Sequence, residues 1–180
     1  MREGGNPTIT WTASNRDVAR HRRDRIIPTR AEYVPMRRAT SALVRFYDLI
    51  EYANGEELPP TFRDSTAYRS LVEPITDATT FTNDLCSAHE EHARGETYNL
   101  PTALRHHHGY TWQQAADATA VQVHHHVHAF ERARRALPAE AAAEHRWALG
   151  LAECTAGNLA YFRTSHRYAT RSGDHPSRPS

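Results

Sequence analysis

Glycine is scarce, at 8 of 180 residues, while alanine, arginine, glutamate and histidine are plentiful. That balance favours helices over sheets. Cysteine is limited to Cys86 and Cys154. Two thiols do not build a disulfide framework, so a reducing cytoplasm is the expected setting. No apolar run approaches the roughly 18 residues that a spanning helix needs. The first residues, MREGGNPTIT, contain no apolar signal core. Excess charge is also missing. A formal +1 argues against bulk binding of nucleic acid through its phosphates. The local basic clusters at Arg20–Arg25 and at Arg132, Arg134 and Arg135 read as solvated helix faces. There is no internal repeat. The expectation is a single all-α domain, cytoplasmic, with no membrane or nucleic-acid partner.

Punctuation divides the chain into helices. Residues 1–10 and 170–180 read as disordered ends around a helical domain at 11–169. A short helix is expected over Thr12–Arg23. Thr29 with Glu32 three residues on forms a capping box for a helix from Arg30 towards Thr40. Leu43, Phe46, Tyr47 and Ile50 at helical spacing predict a helix over Ser41–Ala53. NGEELPP at Asn54–Pro60 is a loop. The longest helix is expected from Thr61 to Arg94, kinked at Pro74 and ended by Gly95. Leu71, Ile75, Ala78, Phe81, Leu85 and Ala88 form its apolar stripe. After a connection through Pro101, long helices are expected over Thr111–Leu137 and Ala139–Tyr168.

Within the longest helix, TNDLCSAHEEHARGETY sets an amide, a hydroxyl and a carboxylate four residues apart, at Asn83, Ser87 and Glu91. Steps of about 40° around the helix keep them on one stripe about 12 Å long. Such oxygens suit a hard cation such as Mg²⁺, which keeps waters and is completed by substrate phosphate. Three polar residues at this spacing also describe an ordinary wet helix face.

The frame NDLCSAHEE…ARGE resembles the metal motif of class I terpene cyclases of the bacterial type, whose pattern is N-D-x-x-S-x-x-x-E. The resemblance implies the C-terminal half of the class I terpenoid synthase helical bundle, with Asn83, Ser87 and Glu91 holding one Mg²⁺ on a substrate diphosphate. It further implies that Arg37, in YVPMRRAT, senses the diphosphate, since an arginine stands at that spacing upstream in the family. Thr40 and Ser41 fall at the family's helix break, and Arg167–Tyr168, in GNLAYFRTSHRY, at the pair that closes on the diphosphate. Glu90 stands where the family commonly has a basic residue, and Tyr161 where tryptophan is frequent. The implied activity is Mg²⁺-dependent ionisation and cyclisation of a prenyl diphosphate, with farnesyl diphosphate the expected substrate.

One part of the family pattern is absent. The second, aspartate-rich metal motif lies well upstream of the sensing arginine, yet this chain has no Asp-Asp pair. The resemblance therefore implies the C-terminal portion of a cyclase, inactive alone, whose N-terminal half is encoded separately or lost. Phe46, Tyr47, Phe81 and Trp147 are candidate cavity liners and equally ordinary core. His124 and His128, an i, i+4 pair among 13 histidines, can grip Zn²⁺ or Ni²⁺ but lack a carboxylate or thiol at ligand spacing. A non-catalytic helical protein that binds a metal or a partner helix is the alternative function.

Overall fold

A computed structural model describes residues 7–165, with side chains from residue 11 onward. Among the described residues it is all-α, without strands. Helices α1 (Pro7–Asp24), α2 (Arg30–Thr40), α3 (Leu43–Asn54), α4 (Pro60–Arg63), α5 (Thr66–Ala93), α6 (Leu100–His108), α7 (Trp112–Arg135) and α8 (Ala142–Thr164) follow in order. No described helix is long and apolar enough to cross a membrane.

Local chemistry explains most boundaries. The capping box of α2 forms as expected: the Glu32 amide donates to Thr29 Oγ1, and the Thr29 amide donates to the Glu32 carboxylate at 2.8 Å. Gly95 takes the expected left-handed conformation after α5, at φ +74°. Four expectations are corrected. The helix expected from Thr61 is two helices, because Ser65 caps a new start by accepting the Tyr68 amide at 3.1 Å. The connection through Pro101 is itself helix α6. Asn99 caps it by accepting the Thr102 amide at 2.8 Å, proline occupies its first turn, and Gly109 ends it. The last helix ends at Thr164, with Ser165 extended; Arg167 and Tyr168 lie outside the described residues. The first helix starts at Pro7 rather than Thr12.

The 28-residue α5 runs through the middle of the bundle and meets α2, α3, α4, α6, α7 and α8. Its two ends serve two apolar clusters. Leu71, Val72 and Ile75 pack with Tyr47 and Ile50 of α3, Phe130 of α7, and Trp147, Ala148 and Leu151 of α8. Phe81 packs with Val18, Tyr33, Tyr98, Leu100, Leu104 and Ala115. Between them the helix buries Thr76, Asp77, Thr79 and Thr80. The hydroxyls of Thr79 and Thr80 bond carbonyls one turn back, and Thr79 Oγ1 also lies 2.9 Å from Thr155 Oγ1 of α8. Gly150 lets α8 approach α3 closely: a Cβ there would stand 2.5 Å from Ile50 Cγ2.

The break between α2 and α3 is only Ser41 and Ala42 wide. Ala42 sits in the left-handed region at φ 59°. A Cβ there costs about 1–2 kcal/mol. Glycine removes that cost but loses about 0.5–1 kcal/mol through the freer unfolded chain. Ala42→Gly is therefore expected to raise stability by up to about 1 kcal/mol, read from urea unfolding; a loss would show that the Ala42 methyl packs favourably.

Candidate functional site

Arg37 stands in the last turn of α2 and faces α5 across the bundle. Its Nη2 donates to Asn83 Oδ1 at 2.8 Å, bridging the 46 positions between the two residues. Its Nε and Nη2 both lie 3.0 Å from Asp84 Oδ1. Asp84 is almost fully buried and also accepts from the Tyr33 hydroxyl and, at 3.2 Å, from the Leu100 amide at the start of α6. Burial, the largest influence, lifts the Asp84 carboxyl above the usual carboxylate range, against the opposing pull of Arg37, Tyr33 and the Leu100 amide. Burial, again the largest influence, opposes charge on Arg37, but Asp84 together with Tyr33 and Tyr98 outweighs it, and the guanidinium is held firmly protonated.

Asn83, Ser87 and Glu91 follow one another up the same stripe of α5. Ser87 Oγ donates to the Asn83 carbonyl at 2.8 Å. Glu91 accepts from Asn99 Nδ2 at 2.9 Å, and Asn99 is fully buried. The start of α6 is thus tied to both acids, through its first amide to Asp84 and through its cap to Glu91. Each of the three oxygens keeps acceptor capacity: Asn83 Oδ1 holds one N–H, Ser87 has spent its hydrogen, and Glu91 has a second carboxylate oxygen. An amide, a hydroxyl and a carboxylate with room to accept fit a hard divalent cation. Glu90, next in sequence, points elsewhere and pairs with Arg94 at 3.0 Å.

One turn below Asn83 on the same stripe, Thr79 borders an open cleft of about 320 Å³, lined also by Leu43, Phe46, Tyr47, Cys154, Thr155 and Asn158. Of the four candidate liners, Phe46 is 57% exposed at this cleft, and Tyr47 is buried at its wall with its hydroxyl 3.2 Å from Thr76 Oγ1. Phe81 and Trp147 are core, one in each apolar cluster. Thr40 and Ser41 stand at the helix break, where the Thr40 carbonyl accepts from Trp11 Nε1 at 3.2 Å.

Sequence reading passed over Asp84, the hub of the site, although it is the second letter of the NDLCS frame. It also passed over the partner of the neighbouring arginine. Arg38 grips the buried Asp77 with two bonds of 2.6 Å and Glu73 with one of 2.9 Å. Asp77 and Asp84 lie two turns apart on α5, so consecutive arginines dock α2 at two points. The signal was available as two acids seven residues apart on a helix that also carries an apolar stripe.

Among the described residues the histidines do not assemble a site: no three His, Cys, Asp or Glu side chains come together to hold a metal. His124, His125 and His128 are exposed on α7. His126 instead turns inward, 3.6 Å from Asp77. Burial holds its pKa below the ordinary imidazole value; Asp77 opposes this, while His125, Arg38 and Arg30 reinforce it. The folded chain thus prefers neutral His126, and the unfolded chain takes up the proton first as pH falls. Its contribution is intact above about pH 6.5 and is lost below it. Between about pH 7.5 and 5.5, His126→Gln is expected to lose less stability than the parent chain in urea unfolding; an equal loss would contradict the assignment.

The family model of terpene synthase family 2, C-terminal metal binding, matches residues 7–129. The 4-epi-cubebol synthase of Streptosporangium roseum, a (2E,6E)-farnesyl diphosphate cyclising enzyme by name, is 29% identical over 171 residues, covering 93% of this chain and 50% of the relative. The alpha-muurolene synthase of Coprinopsis cinerea is 36% identical over 99 residues, covering 55% of this chain and 23% of the relative. The chain spans half or less of the length of these curated relatives. The linalool/nerolidol synthase of Streptomyces clavuligerus superposes with a TM-score of 0.79 at 24% identity, covering 89% of this chain and 61% of that one, and has also been solved with 2-fluorogeranyl diphosphate. The match takes in Arg37 and the whole Asn83–Glu91 stripe, and the chain belongs to terpene synthase family 2.

Proposed function

We propose that this chain supplies the cation- and diphosphate-binding end of a terpene synthase that ionises and cyclises a prenyl diphosphate, farnesyl diphosphate above others. The observation that carries the reading is the contact of Arg37 with Asn83, at one end of the Asn83–Ser87–Glu91 stripe. Cationic fork and oxygen ligands stand side by side, as a metal-bound diphosphate requires.

Asn83, Ser87 and Glu91 hold one Mg²⁺. When bound, the ion screens diphosphate charge and favours departure of the leaving group. Arg37 presents a planar, permanently charged fork to the phosphate oxygens. Arg167 and Tyr168 are assigned to the same diphosphate on the family pattern. The isoprenoid tail lies along the cleft beside Thr79, where Phe46 offers an aromatic face to developing positive charge. The name of the Streptosporangium relative supports farnesyl diphosphate as the substrate.

Alone, the chain is expected to bind but not to turn over. One cation site, Arg37 and Arg167 meet only part of the charge on a leaving diphosphate, and the cleft is open to water. The rest of that field is the work of the family's aspartate-rich metal motif.

Calorimetry with inorganic diphosphate tests the reading. Binding is expected to strengthen with Mg²⁺, and Glu91→Ala is expected to weaken Mg²⁺-dependent binding by at least about tenfold, since even outer partners of metal ligands are worth about 10–100-fold. Binding that ignores Mg²⁺, or tight Zn²⁺ binding lost when His124 and His128 are changed, would overturn it. Terpene formed from farnesyl diphosphate by the chain alone would overturn the expectation of inactivity.

A further inference from the structure

Arg37 and the proposed cation compete for one atom. Asn83 Oδ1 is the oxygen a cation would take from that side chain, and Arg37 Nη2 already donates to it at 2.8 Å. The two ends of this guanidinium are held very differently. Nε and Nη2 meet a carboxylate only 2% exposed, itself fixed by Tyr33 and by the Leu100 amide. Nη2 alone reaches out to Asn83, a neutral amide. Bonds to an ionised acceptor are roughly twice as strong as neutral ones. Under a competing anion, the contact to Asn83 gives way first and the contact to Asp84 stays.

We propose that Asp84 is the pivot of the diphosphate sensor, a positioning residue that keeps Arg37 anchored by Nε while Nη2 moves from Asn83 to a diphosphate oxygen. The move frees Asn83 Oδ1 for a divalent cation. Cation and diphosphate thereby assist one another: each removes an obstacle to the other, and the coupling is reciprocal. Asp84 touches neither ligand in this scheme. The proposal rests on the diphosphate reading of the site.

Side-chain NMR on the full chain tests it. The Arg37 Nε–H and Asn83 side-chain amide signals are identified by their loss in Arg37→Lys and Asn83→Asp. On adding inorganic diphosphate with Mg²⁺, the Asn83 amide signal is expected to shift, while the Arg37 Nε–H signal stays in place and remains protected from exchange. An unmoved Asn83 signal, or an Arg37 Nε–H signal lost to exchange, would overturn the pivot. In calorimetry, Asp84→Asn is expected to bind Mg²⁺-diphosphate about tenfold or more weakly while its circular dichroism stays that of the parent. Undiminished binding would overturn the pivot and leave the site reading standing. If Asp84→Asn does not fold, the parent spectra decide. Absence of Mg²⁺-dependent diphosphate binding in the parent defeats the site reading and the pivot together.

Discussion

Replacing Trp147 with alanine lowers the stability of the chain by about 3–5 kcal/mol. The ring is 1% exposed and lies at the meeting point of α3, α4, α5 and α8. Tyr68 stacks on it at 5.1 Å and Phe62 meets it edge-on at 6.2 Å. Its indole N–H donates to the Tyr47 carbonyl at 3.3 Å. Truncation removes a large apolar surface, leaves a cavity between the flanking rings, and takes a second donor from that helical carbonyl. Such a loss is about a fifth or more of a typical domain's total of about 5–15 kcal/mol. Urea unfolding measures it directly. A change below about 1 kcal/mol would mean the cluster repacks freely and does not hold α8 to α3. Trp147→Phe, which keeps an aromatic ring, is expected to lose less.

That prediction differs from the one composition invites, because Trp147 could equally have lined a cavity. Sequence periodicity identified which face of α5 is apolar: Leu71, Ile75, Ala78, Phe81 and Ala88 of the expected stripe are buried, and Leu85 is half-buried. It could not decide between core and cavity for an aromatic on another helix, since both are apolar surroundings and only the third dimension separates Phe46 from Trp147. The cap of α2 was legible because Thr29 and Glu32 form both halves of a capping box, whereas Ser65 caps α5 without a glutamate to mark it. Helix α6 escaped because nine residues contain too few apolar repeats, and its Asn99 cap reads equally well as a loop. The oxygen stripe was legible for the same local reason as the cap of α2. Asp84 was not. Its importance comes from Tyr33, Arg37 and Leu100, brought together only by the packing of α2 and α6 against α5. Two acids seven residues apart mark one face of α5, but which residues meet them leaves no periodic trace.

Arg37→Ala is expected to damage both fold and binding, and the two effects can be separated. Without the guanidinium, Asp84 keeps only the Tyr33 hydroxyl and the Leu100 amide. Leaving a buried charge without its partner costs about 3–5 kcal/mol. The cost depends on pH, with a definite sign. Burial already raises the Asp84 pKa, and Arg37 is the strongest influence lowering it, so the variant raises it further. A folded-state pKa above the unfolded value means the folded chain prefers the protonated acid. The stability deficit against the parent should therefore be full at neutral pH and shrink as the pH falls through the raised value towards about 4. A deficit that is flat with pH would show that lost packing, not the buried charge, explains it. Adding Asp84→Asn to Arg37→Ala removes the stranded charge and should restore much of the stability at neutral pH. It should not restore Mg²⁺-dependent diphosphate binding, because the fork that grips the phosphate is still missing. Arg37→Lys completes the comparison: it keeps the charge beside Asp84 but cannot offer two parallel N–H bonds, so it should recover more stability than binding. If the stable double variant binds diphosphate as the parent does, Arg37 serves the fold alone.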